Sequence, residues 1–242
     1  MKPTLFLSDL HLAPERPAAT AAFHAFTRGP ARAAAAVYIL GDLFDAWIGD
    51  DQLREPFAAD IAASLRALTD AGVPVYVARG NRDFLLGAAF ARGTGVTLIP
   101  DELVVEAGGE KLVVLHGDLL CTGDADYQRY RARMHTPAAA RRLLALPYPL
   151  RRGIAWYLRR RSRTENARKP EAIMDVDEGA VAAAFRRHGV PRMIHGHTHR
   201  PARHALDVDG TPRERVVLAD WDDRGHYVEV SGAGLAVRDV TG

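Results

Sequence analysis

The stretch Leu5-Phe6-Leu7-Ser8-Asp9-Leu10-His11 sets three apolar residues directly before an acid and a histidine. Residues 5–7 read as a short buried strand, so Asp9-Leu10-His11 falls just past its C-terminal end. The arrangement recurs. Residues 37–40 lead into Gly41-Asp42, and residues 73–77 into Gly80-Asn81-Arg82-Asp83. Residues 111–115 lead into His116-Gly117-Asp118, and Met193-Ile194 into His195-Gly196-His197-Thr198-His199. Open α/β sheets bind ligands beyond the carboxyl ends of their strands, which is where all five polar clusters stand.

Helical stripes separate the first three strands: Phe23 and Phe26 within 17–28, then Phe57, Ile61, Leu65 and Leu68 within 55–71. Strand alternating with helix predicts parallel pairing with right-handed crossovers. After residue 95 the texture changes to short strands at 96–99, 103–106 and 111–115, with a turn at Gly108-Gly109. Residues 124–169 read as helix broken at Pro147 and Pro149, and 176–188 as another helix. The tail, 203–238, reads as short strands with turns at Asp209-Gly210 and Arg224-Gly225.

The composition, 48% apolar and 26% charged over 242 residues, is that of a globular chain large enough for one sizeable core. A single cysteine, Cys121, excludes an internal disulfide framework and a cysteine-rich zinc module, and is expected to be a small buried filler. The first apolar run is too short for a secretory signal, and no stretch approaches the ~20 apolar residues of a membrane span. These readings predict a cytoplasmic chain.

Taken singly, the clusters are weak signals; taken in order, each after an apolar strand, they point to a metal centre. In an extended segment residues i and i+2 face the same way, so Asp9 with His11, and His197 with His199, are each expected to grip one ion. Glycines beside Asp42, Asn81, His116 and His197 permit close approach of backbone and ion. Carboxylate, amide oxygen and imidazole together suit manganese, iron, zinc or magnesium.

The ordered set resembles the calcineurin-like metallophosphoesterase superfamily. The resemblance implies an α/β fold, a β-sandwich flanked by helices with an inserted helical cap, holding two divalent metal ions. It implies Asp9, His11, Asp42 and His199 on one metal, and Asp42, Asn81, His116 and His197 on the other, with Asp42 bridging. Water activated between two cations then needs no serine or cysteine nucleophile. Most superfamily members carry histidine directly after the motif asparagine; here that place is Arg82. Arginine cannot act as a proton donor to the leaving group, but it can hold a phosphate and neutralise developing charge.

Longer runs narrow the resemblance: Ser8 to Leu12, Gly41-Asp42-Leu43-Phe44-Asp45-Ala46-Trp47-Ile48-Gly49-Asp50-Asp51, Gly80 to Leu85, Met174-Asp175-Val176 and Ile194 to Pro201. Over about residues 4 to 221 these are similar to the UDP-2,3-diacylglucosamine diphosphatases of lipid A biosynthesis. That resemblance implies manganese as the metal and an acylated UDP-sugar as substrate. It implies water attack at the phosphorus next to uridine, giving UMP and 2,3-diacylglucosamine 1-phosphate. Asp42, Asn81, Arg82 and His116 would be catalytic. Asn81, Arg82, Asp124, Ser162, Asn166, Lys169 and His197 would hold the head group. Arg159 joins them by pattern, since Arg159, Ser162, Asn166 and Lys169 fall on one face of a helix.

Residues 1–242 are read as one domain, with 124–169 as the inserted cap. That segment holds 13 basic and 3 acidic residues, a net +10 against +2 for the whole chain. Leucines, Tyr148, Trp156 and Tyr157 lie between the arginines. Apolar faces with basic flanks suit an anionic lipid surface, so the chain is expected on the cytoplasmic face of a bacterial inner membrane as a peripheral protein. No nucleic-acid partner and no obligate protein partner are inferred. His195 is expected to be structural, Asp118 to cap a turn or orient His116, and Trp47 and Trp156 to be core or pocket wall. Three other readings stand beside this one: a phosphoesterase of another phosphodiester or of an unacylated nucleotide sugar, a catalytically silent scaffold, and a basic nucleic-acid binder. An intact set of seven metal-binding side chains speaks against the scaffold.

Overall fold

In a computed structural model the described residues are 2–166 and 175–240, and for 161–166 the backbone helix alone is described. The first sheet is built on strand β1 (Thr4–Leu7), which pairs in parallel with β2 (Ala36–Leu40); β2 pairs in parallel with β3 (Val75–Ala78), and β3 with β4 (Thr97–Leu98). Crossover helices α1 (Pro17–Arg28) and α2 (Pro56–Asp70) join the first three strands, as the apolar stripes predict. The second sheet begins with a hairpin of β5 (Glu102–Ala107) and β6 (Glu110–Leu115). Next to β6 lies β7 (Arg192–His195), then β9 (Thr211–Val217), both parallel to their neighbours; β8 (Ala202–Val208) forms a hairpin with β9 at the outer edge. The chain then returns to the first sheet, where β10 (His226–Ser231) runs antiparallel to β1 and β11 (Gly234–Asp239) closes the edge.

Strand periodicity divides the interior into layers. Leu5, Leu7, Val37 and Ile39 pack outward with Phe23, Phe26, Ile61 and Leu65 of the helices. The alternate residues Phe6, Tyr38 and Leu40 face the second sheet and meet Leu112, Val114, Ile194 and Val216. On the far side, Val113, Leu115 and Met193 are covered by Val181, Ala184 and Phe185 of a helix at Glu178–His188. Helices, sheet, sheet and helix therefore stack as the resemblance implies.

Three differences from the sequence reading have local causes. Helix α3 (Ala88–Thr94) is not anticipated by periodicity; Asp50 makes its start, accepting the N–H groups of Gly87, Ala89 and Phe90. Between β6 and β7 the chain forms helices α4 (Ala125–Met134), α5 (Pro137–Leu144) and α6 (Tyr148–Asn166), and the last helix of the chain is α7 (Glu178–His188). The first break falls at Thr136, whose hydroxyl caps α5. Pro149 breaks nothing, because it sits in the first turn of α6, where no intrahelical N–H is needed. Arg224-Gly225 is part of the link from the second sheet back to β10 rather than a hairpin turn.

The segment α4–α6 is pinned to the sandwich at definite points. The Arg151 guanidinium, buried, pairs with Asp51 and donates to the carbonyl oxygens of Ile48 and Leu146. Tyr148 donates its hydroxyl to Glu55 at 2.6 Å, and Arg131, also buried, pairs with Asp118 at 2.6 Å and Asp101 at 3.0 Å. A Cβ on Gly49 would overlap the Arg151 guanidinium, so glycine there makes room for the anchor. Arg151→Met should lower stability by about 1–3 kcal/mol, below the usual cost of breaking a fully buried pair because Asp51 reaches solvent. The expected readout is a lower urea midpoint with faster amide exchange along α6; an unchanged midpoint and exchange rate would contradict the anchoring role.

Candidate metal centre

The five loops meet where the two sheets adjoin. Past β1 and β2 the backbone stays zipped together: Asp9 N–H donates to Gly41 O at 3.1 Å, His11 N–H to Asp42 O at 2.9 Å, and Leu12 N–H to Leu43 O at 3.0 Å. Asp83, fully buried, ties the second loop to the third by accepting the N–H groups of Gly80 at 2.7 Å and Leu43 at 2.8 Å. The fourth and fifth loops are joined by Gly196 N–H to His116 O at 2.8 Å. Asp9 Oδ2 accepts His197 N–H at 2.8 Å, which crosses from the first sheet to the second.

These loops are not extended, contrary to the reading of Asp9/His11 and His197/His199. Asp9, His11, Asp42, His197 and His199 all have left-handed backbones, with φ between 48° and 72°. Among the described residues Asp209 is the one other non-glycine with positive φ. Such conformations cost of order 1–3 kcal/mol each and gather at functional sites. The side chains converge through tight turns rather than by strand alternation.

All seven predicted ligands are brought together. Donor atoms of Asp9, His11 and His199 lie within 4.8 Å of one another, as do those of Asp9, Asp42 and His116. Asn81 Oδ1 stands 3.0 Å from His116 Nε2, which is 3.2 Å from His197 Nδ1. His11 Nε2 and His199 Nε2 are 3.4 Å apart. The Asp9 carboxylate thus belongs to both clusters, whereas Asp42 belongs to the second. His116 Nδ1 donates to Leu40 O at 2.9 Å, which leaves Nε2 directed at the cluster.

Two observations fit bound cations. Asp9 Oδ1 and His11 Nδ1 are buried and receive no hydrogen bond, a costly state unless another group satisfies them. A Cβ on Gly80 would overlap Asp42 Oδ1, and one on Gly196 would overlap Asp9 Oδ2, so both carboxylates lie against bare backbone. Burial drives the Asp42 carboxyl up to about 7, with Asp83 and Asp9 adding repulsion against the pull of His116. For His116 the cost of burial is overcome by Asp42, Asp9 and Asp118, which raise it to about 9. Burial keeps His197 neutral, down to about 4.

Around this centre, the structure assigns positions to the remaining candidates. Arg82 N–H donates to Asp42 Oδ1 at 2.8 Å, and its guanidinium lies 3.7 Å from Asp45. Arg159 of α6 pairs with the same Asp45. Asp124 caps α4 by accepting Tyr127 N–H at 3.1 Å, and the Tyr127 ring lies 6.1 Å from that of His197. The side chains of Ser162 and Asn166, together with Lys169 and Met174, lie outside the described residues. Asp118 does not orient His116; it accepts from Tyr127 Oη at 2.7 Å and Arg131 Nε, so it ties α4 to the sandwich. His195 is held at both ring nitrogens: Nδ1 donates to Gly196 O at 2.8 Å and Nε2 accepts from Arg215 at 3.2 Å. Trp47 is core, whereas Trp156 is 63% exposed at the rim of a cavity. Sequence reasoning quoted Asp83 within the third cluster without giving it a role, and missed Asp220 (3.5 Å from His199 Nδ1) and Arg215, which stand outside every motif.

Residues 2–201 match the calcineurin-like phosphoesterase family. The chain belongs to that family. Among curated proteins it is 50% identical over 232 residues to a UDP-2,3-diacylglucosamine hydrolase of Enterobacter sp. (strain 638), covering 96% of each chain. It is 50% identical over 228 residues to the protein of that name from Shigella sonnei (strain Ss046), covering 94% of this chain and 95% of the relative. Among solved structures, a phosphoesterase from E. coli aligns over 98% of this chain and 93% of its own at 14% identity, with a TM-score of 0.47. Membership of that family makes the chain a phosphoesterase with a donor set that could hold metal ions, and among its described residues no helix is long and apolar enough to cross a membrane.

Metal binding should displace the protons held by Asp42 and His116, because each ligand must present a free lone pair. Both groups are raised, so proton competition weakens as pH climbs through about 7 and about 9. Calorimetric titration of the metal-free enzyme should show affinity rising across that window with protons released to the buffer. A constant affinity with no proton release would contradict it. Asp42→Ala should lose bound metal while keeping the fold, since a buried carboxylate raised to about 7 destabilises the folded state as pH climbs from its unfolded value toward neutrality, and its removal takes that cost away.

Proposed function

We propose that this enzyme hydrolyses the diphosphate bond of UDP-2,3-diacylglucosamine. Water would attack the phosphorus next to uridine, and UMP and 2,3-diacylglucosamine 1-phosphate would leave. The observation that carries the reading is Arg82, set beside an intact donor set where a proton-donating histidine is usual. A leaving phosphate needs little protonation, and a guanidinium can hold it. The curated relatives carry the same substrate in their names.

The proposed ligands are Asp9, His11, Asp42 and His199 for one ion, and Asp42, Asn81, His116 and His197 for the other, with Mn2+ as the metal. When bound, the ions would lower the pKa of water and neutralise phosphoryl oxygens. The chain's own residues hold the geometry. Leu40 O fixes the His116 tautomer. Asp42 Oδ1 receives Arg82 N–H and so positions the loop that presents the guanidinium. Asn81 and Arg82 would meet the diphosphate, with Asp124, Arg159, Ser162, Asn166, Lys169 and His197 around the head group.

Residues 1–242 act, in this reading, as one domain, with 124–169 as a cap over the substrate. A cavity of about 670 Å³ lies under α6, lined by Ala13, Ala46, Ile48, Ala155 and Trp156 and by charged side chains that include Glu15, Asp45, Glu55, Arg152 and Arg159. We place the acyl portion there. The exposed Leu150, Trp156 and Tyr157, with Arg141, Arg142 and Arg152, form the face for an anionic bilayer. Arg151 takes no part in this, because it is buried in the Asp51 anchor.

Incubation with Mn2+ and UDP-2,3-diacylglucosamine should release UMP; no release would refute the assignment. Arg82→Lys keeps charge but loses the planar fork, and should cost about ten- to a thousandfold in turnover. Wild-type rates in Arg82→Ala would make the residue merely structural. Trp156→Ser should raise KM for acylated substrate more than Leu158→Ser does, because Trp156 alone of the pair lines the cavity. Flotation with anionic vesicles should fall at high salt without vanishing, and Arg141, Arg142 and Arg152 replaced by Ser should weaken it. Equal flotation of that variant at low salt would remove the docking claim.

A further inference from the structure

Asp45 stands three residues beyond Asp42 and holds two arginines that are distant in sequence. Its Oδ1 is 3.7 Å from Arg82 Nη1, and its Oδ2 is in direct contact with Arg159 Nη2 of α6. The carboxylate is 14% exposed, so neither pairing is a loose surface contact. Backbone bonds fix the arrangement: Asp45 N–H donates to Leu12 O at 3.1 Å, and Trp47 N–H to Arg82 O at 3.0 Å. Asp45 and Arg159 both line the 670 Å³ cavity beneath α6.

One carboxylate cannot neutralise two guanidinium ions, and the two contacts are unequal. Arg159 touches Asp45, whereas Arg82 stays at ion-pair distance, beyond hydrogen-bond reach. Arg159 therefore draws off most of the negative charge, and the Arg82 donors remain available for phosphoryl oxygens. Without Arg159 the balance reverses. A half-buried carboxylate left unpaired is costly and takes the nearest cation, which is Arg82. Full pairing with Asp45 would turn Arg82 away from the substrate and cancel the charge that it brings.

We propose that Asp45 is a positioning residue for Arg82: paired with Arg159 of α6, it leaves the Arg82 guanidinium free for the diphosphate. The inference rests on the proposed role of Arg82 at the diphosphate, and it deepens that role.

The test is a suppression experiment with Mn2+-loaded wild type, Arg159→Gln, Asp45→Asn and the double variant. UMP release is measured at saturating UDP-2,3-diacylglucosamine. Arg159→Gln should lower kcat at least about tenfold, the scale of one lost electrostatic contact in a transition state. Asp45→Asn in that background should restore kcat to within about threefold of Asp45→Asn alone, the non-additivity expected of groups that share a partner. Loss of packing alone cannot give suppression, since a second lesion would only add to the first. Metal content and melting temperature are read for every variant, and Asp45→Ser replaces Asp45→Asn if the latter fails to fold. A double variant as slow as Arg159→Gln, or an unaltered kcat in Arg159→Gln, would overturn the inference while wild-type turnover leaves the function intact. Wild type that releases no UMP would overturn both.

Discussion

The structure depends on two carboxylates, Asp9 and Asp42, buried beside one another where the sheets adjoin. Like charges at such range, away from water, repel strongly. The protein cannot solvate them and instead surrounds them with N–H donors and imidazoles. Asp9 Oδ2 takes the His197 N–H, and Asp42 Oδ1 takes the Arg82 N–H. Burial drives Asp42 up to about 7, whereas the surrounding imidazoles hold Asp9 well below the usual carboxylate range against the same burial. One of the pair thus stays charged and the other tends to keep a proton. That asymmetry is a stored cost, and divalent cations would remove it at its source.

The backbone carries a matching cost. Five of the proposed ligands sit in left-handed conformations, held by cross-loop hydrogen bonds between Asp9, Gly41, His11 and Asp42 and by the Asp83 carboxylate. The rigid element is the parallel core of both sheets, packed by Phe6, Tyr38, Leu40, Leu112, Val114 and Ile194. It over-determines the loops at its C-terminal edge, which is the condition under which strained turns persist. Fold and site are thus one problem: the apolar alternation that builds the sandwich also fixes where the five polar turns emerge.

Much of this was legible in the sequence. The order of apolar strand and polar turn, repeated five times, located every proposed ligand and the first sheet's parallel core. The conformation of the turns was not legible. Extended geometry was assumed for Asp9 and His11 because alternation is the default for strand neighbours, and nothing in a one-dimensional pattern records φ. The roles of Asp83, Asp220 and Arg215 were missed for another reason. Each acts on a residue from a different loop, as when Asp83 reaches 40 residues back to Leu43, and composition carries no trace of such pairings. Arg151 is one of the basic residues counted into the net charge of 124–169, yet it is the most deeply buried cation of α6 for which a side chain is described. A run of arginines shows net charge; which of them is desolvated depends on where the facing acids fall, here Asp51 beside Gly49.

The same point bears on how the helical segment joins the chemistry. Its net charge of +10 would be a liability if all of it faced inward. Instead part is spent on anchors, Arg131 with Asp118 and Asp101 and Arg151 with Asp51, and part remains at the surface. Arg159 alone, among the described side chains of α6, reaches a carboxylate that also faces the metal centre's own arginine. Asp45 is therefore the point where α6 meets the arginine proposed to hold the phosphoryl group. No motion of the sandwich is needed for one to act on the other. Coulomb attraction at effective dielectric constants of about 20 still amounts to several kcal/mol at contact and falls off with distance. A small shift of the Arg159 guanidinium is therefore enough to redistribute Asp45's hold between its two partners.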